Sequence, residues 1–382
     1  MELLDWLGKR VWVLQGNYTE EDGRASAELC ILEMLKSGTT AFVESMLAER
    51  YGFDGIAEVV IGSGIRAALA KIVMDVATYA AEDNWMHPGM IEDRERNLRE
   101  TLEMFDKWNG AGNGRLAVWF GPRTPGGVTP ELYREISALA GERDMGITVH
   151  LAEVEADRAY LKQQFNQTPA QFAEAVGLTG PKSLLVHTVW MDNHDIEILA
   201  RTGTNVSHNP VSNAKLASGI APIQEMLAAG VNVALGTDGG PSNNTYDLVR
   251  EMRWASYIHK ARTLDPLVMP NETALEMATI NGAKAMGLEE EIGSLKVGKQ
   301  ADFVVFDFDR PGLVPHMDPV STLVCAATGR DVQTVVIGGQ VVVEDGQVVT
   351  MDEERILRQA NDRAAAVCAR AGIEIKPRWP MI

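Results

Sequence analysis

Ile147-Thr148-Val149-His150-Leu151-Ala152-Glu153 is the stretch that decides the fold. Three strand-forming residues run together, and a histidine and then a glutamate stand where the run gives out. The pattern recurs downstream. Leu184-Leu185-Val186 ends at His187, Asn205-Val206-Ser207 ends at His208-Asn209-Pro210, and 231–235 ends at Gly236-Thr237-Asp238. Upstream, runs at 40–43, 67–74 and 116–120 read the same way, the last two ending at Asp75 and at Gly121-Pro122. Helical patterns fill the intervals at 27–36, 91–108, 130–144, 192–202 and 220–229. Near-continuous apolar strands alternating with helices predict a parallel sheet covered on both faces.

Seven strand–helix units lie between about residues 40 and 255, close to the spacing of a barrel that fits eight units into roughly 250 residues. A doubly wound sheet is the competing α/β architecture. The polar residues decide against it, because they recur at the C-terminal ends of strand after strand, where a TIM-type (β/α)8 barrel keeps its active site. After about residue 290 the organisation changes. Short strands at 303–307, 334–337, 340–343 and 347–349, joined by turns such as Gly338-Gly339 and Asp345-Gly346, predict a small antiparallel unit, followed by a helix over 353–371. The predicted organisation is a barrel over 1–290, a partial β-sandwich over 291–350, and a C-terminal helix and tail over 351–382.

Composition narrows the partners. The 382 residues carry 35 Lys+Arg against 53 Asp+Glu, a net charge of −18, which repels phosphates and argues against nucleic acid or an anionic membrane as partner. Cys30, Cys325 and Cys368 are scattered and form neither a disulfide framework nor a metal knuckle. The first residues do not read as a signal or transit peptide, and no apolar run approaches the roughly 18 residues a bilayer span needs. The expectation is a cytoplasmic protein that takes a small molecule. A homo-oligomer is compatible with the sequence but not required by it.

Each polar cluster has a plain reading alone. His150 can be a core histidine at a strand end, with Glu153 starting a helix. Asp238-Gly239-Gly240-Pro241 can be a turn, and so can His208-Asn209-Pro210-Val211-Ser212-Asn213. Four such clusters at four strand ends are harder to dismiss together, because a barrel converges them on one mouth. Histidine, histidine and aspartate are the ligand types of a hydrolytic zinc or iron site, and Glu153 beside it could shuttle protons.

The longer runs His150-Leu-Ala-Glu153, Leu184-Leu-Val-His-Thr-Val-Trp190, 207–227, 234–256 and 292–307 resemble the amidohydrolase superfamily, in the branch of chlorotriazine hydrolase, S-adenosylhomocysteine deaminase and guanine deaminase. The resemblance extends over essentially the whole chain. It implies a barrel with one divalent metal, zinc before iron, and a small β-sandwich. It implies His150 and Asp238 as metal ligands, Asp238 also as general base, Glu153 as proton shuttle, and His187 as the contact for water or substrate. The implied reaction is hydrolysis of a C–N bond, the exocyclic amine of a purine-, pterin- or triazine-like heterocycle, with an amidase or halohydrolase as runner-up. Binuclear members place a carboxylated lysine at the end of barrel strand four. Here that strand ends Trp119-Phe120-Gly121-Pro122, so a mononuclear site is expected.

One element of the family pattern is missing. Barrel strand one of such enzymes ends in His-x-His, and the histidines here (His87, His150, His187, His194, His208, His259 and His316) form no such pair. The resemblance puts Met1 just after that strand, so the expected fold is a barrel without its first strand. A truncated reading frame, a shortened isoform and a decayed non-catalytic homologue compete as explanations, the last leaving a binding or regulatory protein that keeps the fold without a full metal site. The retained His150, Glu153, His187 and Asp238 favour the first two. With only His150 and Asp238 as ligands, weak or absent metal binding is expected, and an open seam that invites association. Arg123 could hold a carboxylate or phosphate of the substrate or be a surface residue. Trp85, Met86 and His87 could stack on a ring or pack their loop. Trp119 reads as barrel core.

Overall fold

The computed structural model describes residues 3–77, 86–374 and 379. Seven parallel strands form one sheet: β1 (Ala41–Leu47), β2 (Arg66–Val73), β3 (Leu116–Pro122), β4 (Ile147–Leu151), β5 (Ser183–His187), β6 (Asn205–His208) and β7 (Val233–Leu235). Each strand pairs with its sequence neighbour, in the order β1-β2-β3-β4-β5-β6-β7. Registers such as Ala67↔Leu116, His150↔Val186 and Val206↔Val233 bring the C-terminal ends to one rim. The result is a curled barrel wall. Among the described residues no ladder joins β1 to β7.

Burial explains the apolar runs. Every residue of β2 and of β5 is buried, as strands sandwiched between a barrel interior and an outer layer of helices must be. Trp119 is core, as expected, packed with Ala68, Ala70, Leu184, Ala234 and Ala285 inside the wall. Gly146 is required there, since a Cβ would lie 2.2 Å from the Trp119 ring.

The helices run further or stop sooner than periodicity alone predicts. The first long helix is Glu20–Lys36, not 27–36. Its start is set by Thr19, whose side chain and backbone exchange hydrogen bonds with Asp22. Gly23, which reads as a breaker, sits inside it because any Cβ would lie 2.1 Å from the Tyr51 carbonyl. The 220–229 pattern shrinks to Ile223–Ala228, and β7 begins at Val233 rather than 231.

A second sheet, in the order β11-β10-β9-β8, is antiparallel: β8 (Phe303–Phe306), β9 (Val332–Ile337), β10 (Gln340–Glu344) and β11 (Gln347–Val348). It is tied to the barrel wall by a buried ion pair, Arg66 Nε to Asp302 Oδ2 at 2.6 Å, with Arg66 Nη2 also donating to Gln300 Oε1 at 2.6 Å. The final helix, Glu353–Arg370, lies along Glu20–Lys36, joined by Lys36–Glu353 and by Arg355 donating to Glu28. Among the described residues no helix is long and apolar enough to cross a membrane.

Candidate active site

His150 lies in β4, His187 is the last residue of β5, and Asp238 follows β7 at the same rim. One ligand atom from each lies within 4.8 Å of the others. The backbone at this rim is held in uncommon conformations. Ala152, His187, Thr188 and Asp238 all have positive φ (52°, 72°, 46° and 62°). Non-glycine residues there cost of order 1–3 kcal/mol each and persist where surrounding structure over-determines them. Strand ends bent this way turn the side chains inward.

Hydrogen bonds then fix each side chain. Asn213 Oδ1 meets His187 Nδ1 at 2.9 Å; with the amide oxygen as acceptor, Nδ1 carries the proton. His187 Nε2 then points at Glu153 Oε2, 3.5 Å away. Glu153 Oε1 accepts from Ser218 Oγ at 3.2 Å, and its backbone N–H donates to Asp157 Oδ2 at 2.9 Å, at the start of helix Glu155–Phe165. Asp238 accepts from Ser212 Oγ at 2.5 Å and from Gly239 N at 2.6 Å.

Burial and mutual charge set the protonation of these groups. Burial, together with neighbouring His187, pushes His150 down to about 4, so its imidazole is neutral and able to ligate at pH 7. Burial raises Glu153 to about 7 against the pull of His187. Burial also opposes a charged His187, but the Glu153 and Asp238 carboxylates outweigh it and its pKa rises. Glu153 and His187 thus face each other at 3.5 Å, without a hydrogen bond between them, and each shifts the other's titration. Such opposed environments around titratable groups mark acid/base chemistry.

The donor set fits a divalent metal. His150 Nδ1 and His187 Nε2 are both buried without a hydrogen-bond partner, and orphaned imidazole nitrogens a few ångströms from a carboxylate suit zinc. Lys71 of β2 is bound to Glu92 and Asn97, at 3.1 and 3.3 Å. It is the one lysine in the seven parallel strands, so none stands at a strand end to bridge two metals.

The site opens into a cavity of about 1200 Å³ lined mostly by apolar groups, among them Trp12, Ile31, Met34, Leu69 and Ile72. Arg123 lines it too. It is 3% exposed, not a surface residue, with its guanidinium carbon 5.9 Å from the Trp12 ring centroid. Tyr133 donates to the Arg123 carbonyl and anchors the loop. His208 is not delivered to this cavity. It is buried behind it, with Nε2 3.1 Å from His259 Nε2. His87 accepts from Gly89 N at 3.1 Å and starts a short 3-10 turn, a loop-packing role. Trp85 falls outside the described residues.

Three participants were not singled out in the sequence: Ser212, Ser218 and Glu44. Glu44, midway along β1 where the register with β2 shifts, lines the cavity, and burial followed by the Asp238 charge raises its pKa. The signal for Glu44 was its place where the apolar run at 40–43 stops, the rule that found His150.

A parallel barrel wall with two histidines, an aspartate and a glutamate at its C-terminal rim defines a hydrolase of the amidohydrolase type. The amidohydrolase family model matches residues 1–342, and the chain belongs to that family. It is 39% identical over 371 residues to 5'-deoxyadenosine deaminase of Methanosarcina acetivorans, covering 97% of this chain and 82% of that one. It is 39% identical over 370 residues to 5-methylthioadenosine/S-adenosylhomocysteine deaminase of Pelotomaculum thermopropionicum, covering 97% and 81%. Among solved structures it resembles an adenosine deaminase from Xanthomonas campestris with bound zinc (TM-score 0.89, 29% identity, 97% and 81% covered). It also resembles atrazine chlorohydrolase from Arthrobacter aurescens complexed with zinc (TM-score 0.87, 25% identity, 95% and 82% covered).

Proposed function

We propose that the chain is a mononuclear, metal-dependent deaminase that hydrolyses the exocyclic amine of an adenine nucleoside modified at its 5' end. The carrying observation is the convergence of His150, His187 and Asp238 within 4.8 Å, with Glu153 beside His187, at a cavity large enough for a nucleoside. The names of the relatives supply the substrate class. The apolar cavity lining suits a 5' end that lacks a hydroxyl or carries a thioether.

His150 and Asp238 would hold the metal, with His187 as a third ligand or as the contact for water. A divalent ion bound there supplies a Lewis acid and lowers the pKa of water at neutral pH. Asp238 takes the proton of the attacking water. Glu153, half-protonated near pH 7, delivers a proton to the ring nitrogen next to the attacked carbon. His187, held by Asn213, orients the water against that carbon. Asp238 would return its proton to the amine, which leaves as ammonia as the C–N bond breaks, while the hydroxyl gives its proton to Glu153 and becomes the carbonyl. With three ligands in reach rather than four, weak metal binding is expected, restored by added zinc and lost to a chelator.

Arg123, buried at the cavity beside Trp12, would pair with the carboxylate of an amino-acid thioether nucleoside. Ammonia release with 5'-deoxyadenosine, 5'-methylthioadenosine and S-adenosylhomocysteine in zinc-supplemented buffer tests the reading. No turnover of any adenine nucleoside would refute it.

A further inference from the structure

Behind Asp238 lies a buried acid that the chemistry above does not use. Glu251, in the first turn of helix Leu248–Thr263, has no exposed surface (0%). Its Oε1 accepts from Asn243 Nδ2 at 2.6 Å, and its Oε2 accepts from Val211 N at 3.4 Å. The same Asn243 Nδ2 donates to the Thr237 carbonyl at 2.7 Å, on the peptide that leads into Asp238. Val211 is followed by Ser212, whose hydroxyl donates to Asp238 Oδ2. Two short helices, Gly240–Asn243 and Pro210–Lys215, therefore grip the corner, one at the Thr237 carbonyl and one at the Asp238 carboxylate, and Glu251 bonds to both.

Asp238 needs such a grip, because its φ of 62° is a conformation a non-glycine residue leaves unless held. Burial pushes Glu251 up to about 8, against the bonds from Asn243 and Val211. An apolar side chain of similar volume would fill this position without that cost, so packing alone does not account for a carboxyl here.

We propose that Glu251 is a positioning residue that acts through Asn243 and through Val211–Ser212 to set the Thr237–Asp238 corner, so that the Asp238 carboxylate meets His150 and His187. The inference rests on the reading of Asp238 as a metal ligand. Partners that orient a ligand in this way change metal affinity by about 10–100-fold when removed.

The test is the zinc dissociation constant of the full chain by competition with a chromophoric chelator, read beside the thermal unfolding midpoint of the metal-free protein. Glu251→Leu and Asn243→Ala are expected to weaken zinc binding by about 10–100-fold. Glu251→Leu refills the volume but leaves the Val211 N–H without its acceptor, so the metal-free midpoint is expected to fall modestly. Zinc affinity is read well below that midpoint, where the variant is fully folded, which separates positioning from folding. Glu251→Gln, which keeps an acceptor for the Asn243 amide, is expected to stay within about threefold of the unsubstituted chain. Zinc affinity of Glu251→Leu equal to that of the unsubstituted chain would overturn the inference while leaving the metal reading intact. A chain whose zinc affinity is also unmoved by Asp238→Asn would overturn the metal reading itself, and the inference with it.

Discussion

Glu153 is where the chemistry is most exposed to a single change. Its carboxyl is raised to about 7 by burial and faces His187 at 3.5 Å, so it holds its proton below that pH and loses it above. Turnover that needs Glu153 as acid should therefore decline as pH rises through about 7, visible in a pH–rate profile. Glu153→Gln removes the transferable proton with little change in shape and is expected to lower kcat by about 10²–10⁴-fold while zinc uptake persists. Arg123 enters the proposed reading as a binding group. Arg123→Gln should raise KM for S-adenosylhomocysteine about tenfold or more and leave 5'-deoxyadenosine nearly unaffected, because only the former carries a carboxylate to pair. Several of these residues were legible from sequence. His150, His187 and Asp238 stand where apolar runs stop, and Glu153 follows three residues on. His208 stands at the same kind of place and misleads, because its partner His259 comes from a helix 51 residues later, a pairing that no local pattern encodes. Ser212 and Ser218 were invisible for a related reason: a serine becomes a donor to Asp238 or Glu153 only once loops from different strands meet.

At the level of elements, β6 is joined to helix Leu248–Thr263 through the buried His208–His259 contact. Burial and the neighbouring imidazole hold His208 well below its ordinary value. Burial, with Arg262 and Lys260, lowers His259 to about 4. Both histidines stay neutral in the folded chain but protonate near 6.5 once unfolded. Between about pH 4 and 6.5 the unfolded state thus binds more protons at these two groups, which lowers stability with acidification through that window. The buried carboxyls Glu153 and Glu251, raised to about 7 and 8, act in the opposite sense, so the pair is read by difference: His259→Gln should lose less stability than the unsubstituted chain between pH 6.5 and 4.5 in unfolding titrations. Element boundaries were read less well than element types. Periodicity places a helix before β1, but only the Thr19–Asp22 cap and the close approach of Gly23 to Tyr51 set its true start. The positive-φ corners at Ala152, His187 and Asp238 carry no signature in sequence, since none is glycine. Structure around them, Glu251 included, imposes them.

Across the whole molecule, the antiparallel sheet shares one hydrophobic core with the parallel wall, through Val335, Ile337 and Val343, and a buried ion pair adds to that packing. Arg66 and Asp302, 2% and 3% exposed at the side chain, form it. Arg66→Ala leaves a buried carboxylate uncompensated and is expected to cost about 3–5 kcal/mol in a urea titration. The strand order, the rim that collects the polar ends, and the small second sheet all followed from alternation and turn residues. The seven strands seen are the seven counted. The cavity did not follow, because its shape depends on how residues as distant as Trp12 and Arg123 meet. The net charge belongs to this scale as well: −18 disfavours polyanions, while Arg123 is buried at the cavity.

The most direct test of the account is ammonia release from 5'-deoxyadenosine by the purified chain with saturating zinc, compared with the same protein carrying Asp238→Asn. The account predicts one ammonia and one deaminated nucleoside per substrate consumed, abolished by chelator and by the substitution. Zinc bound at about one ion per chain with no deamination of any adenine nucleoside would contradict it.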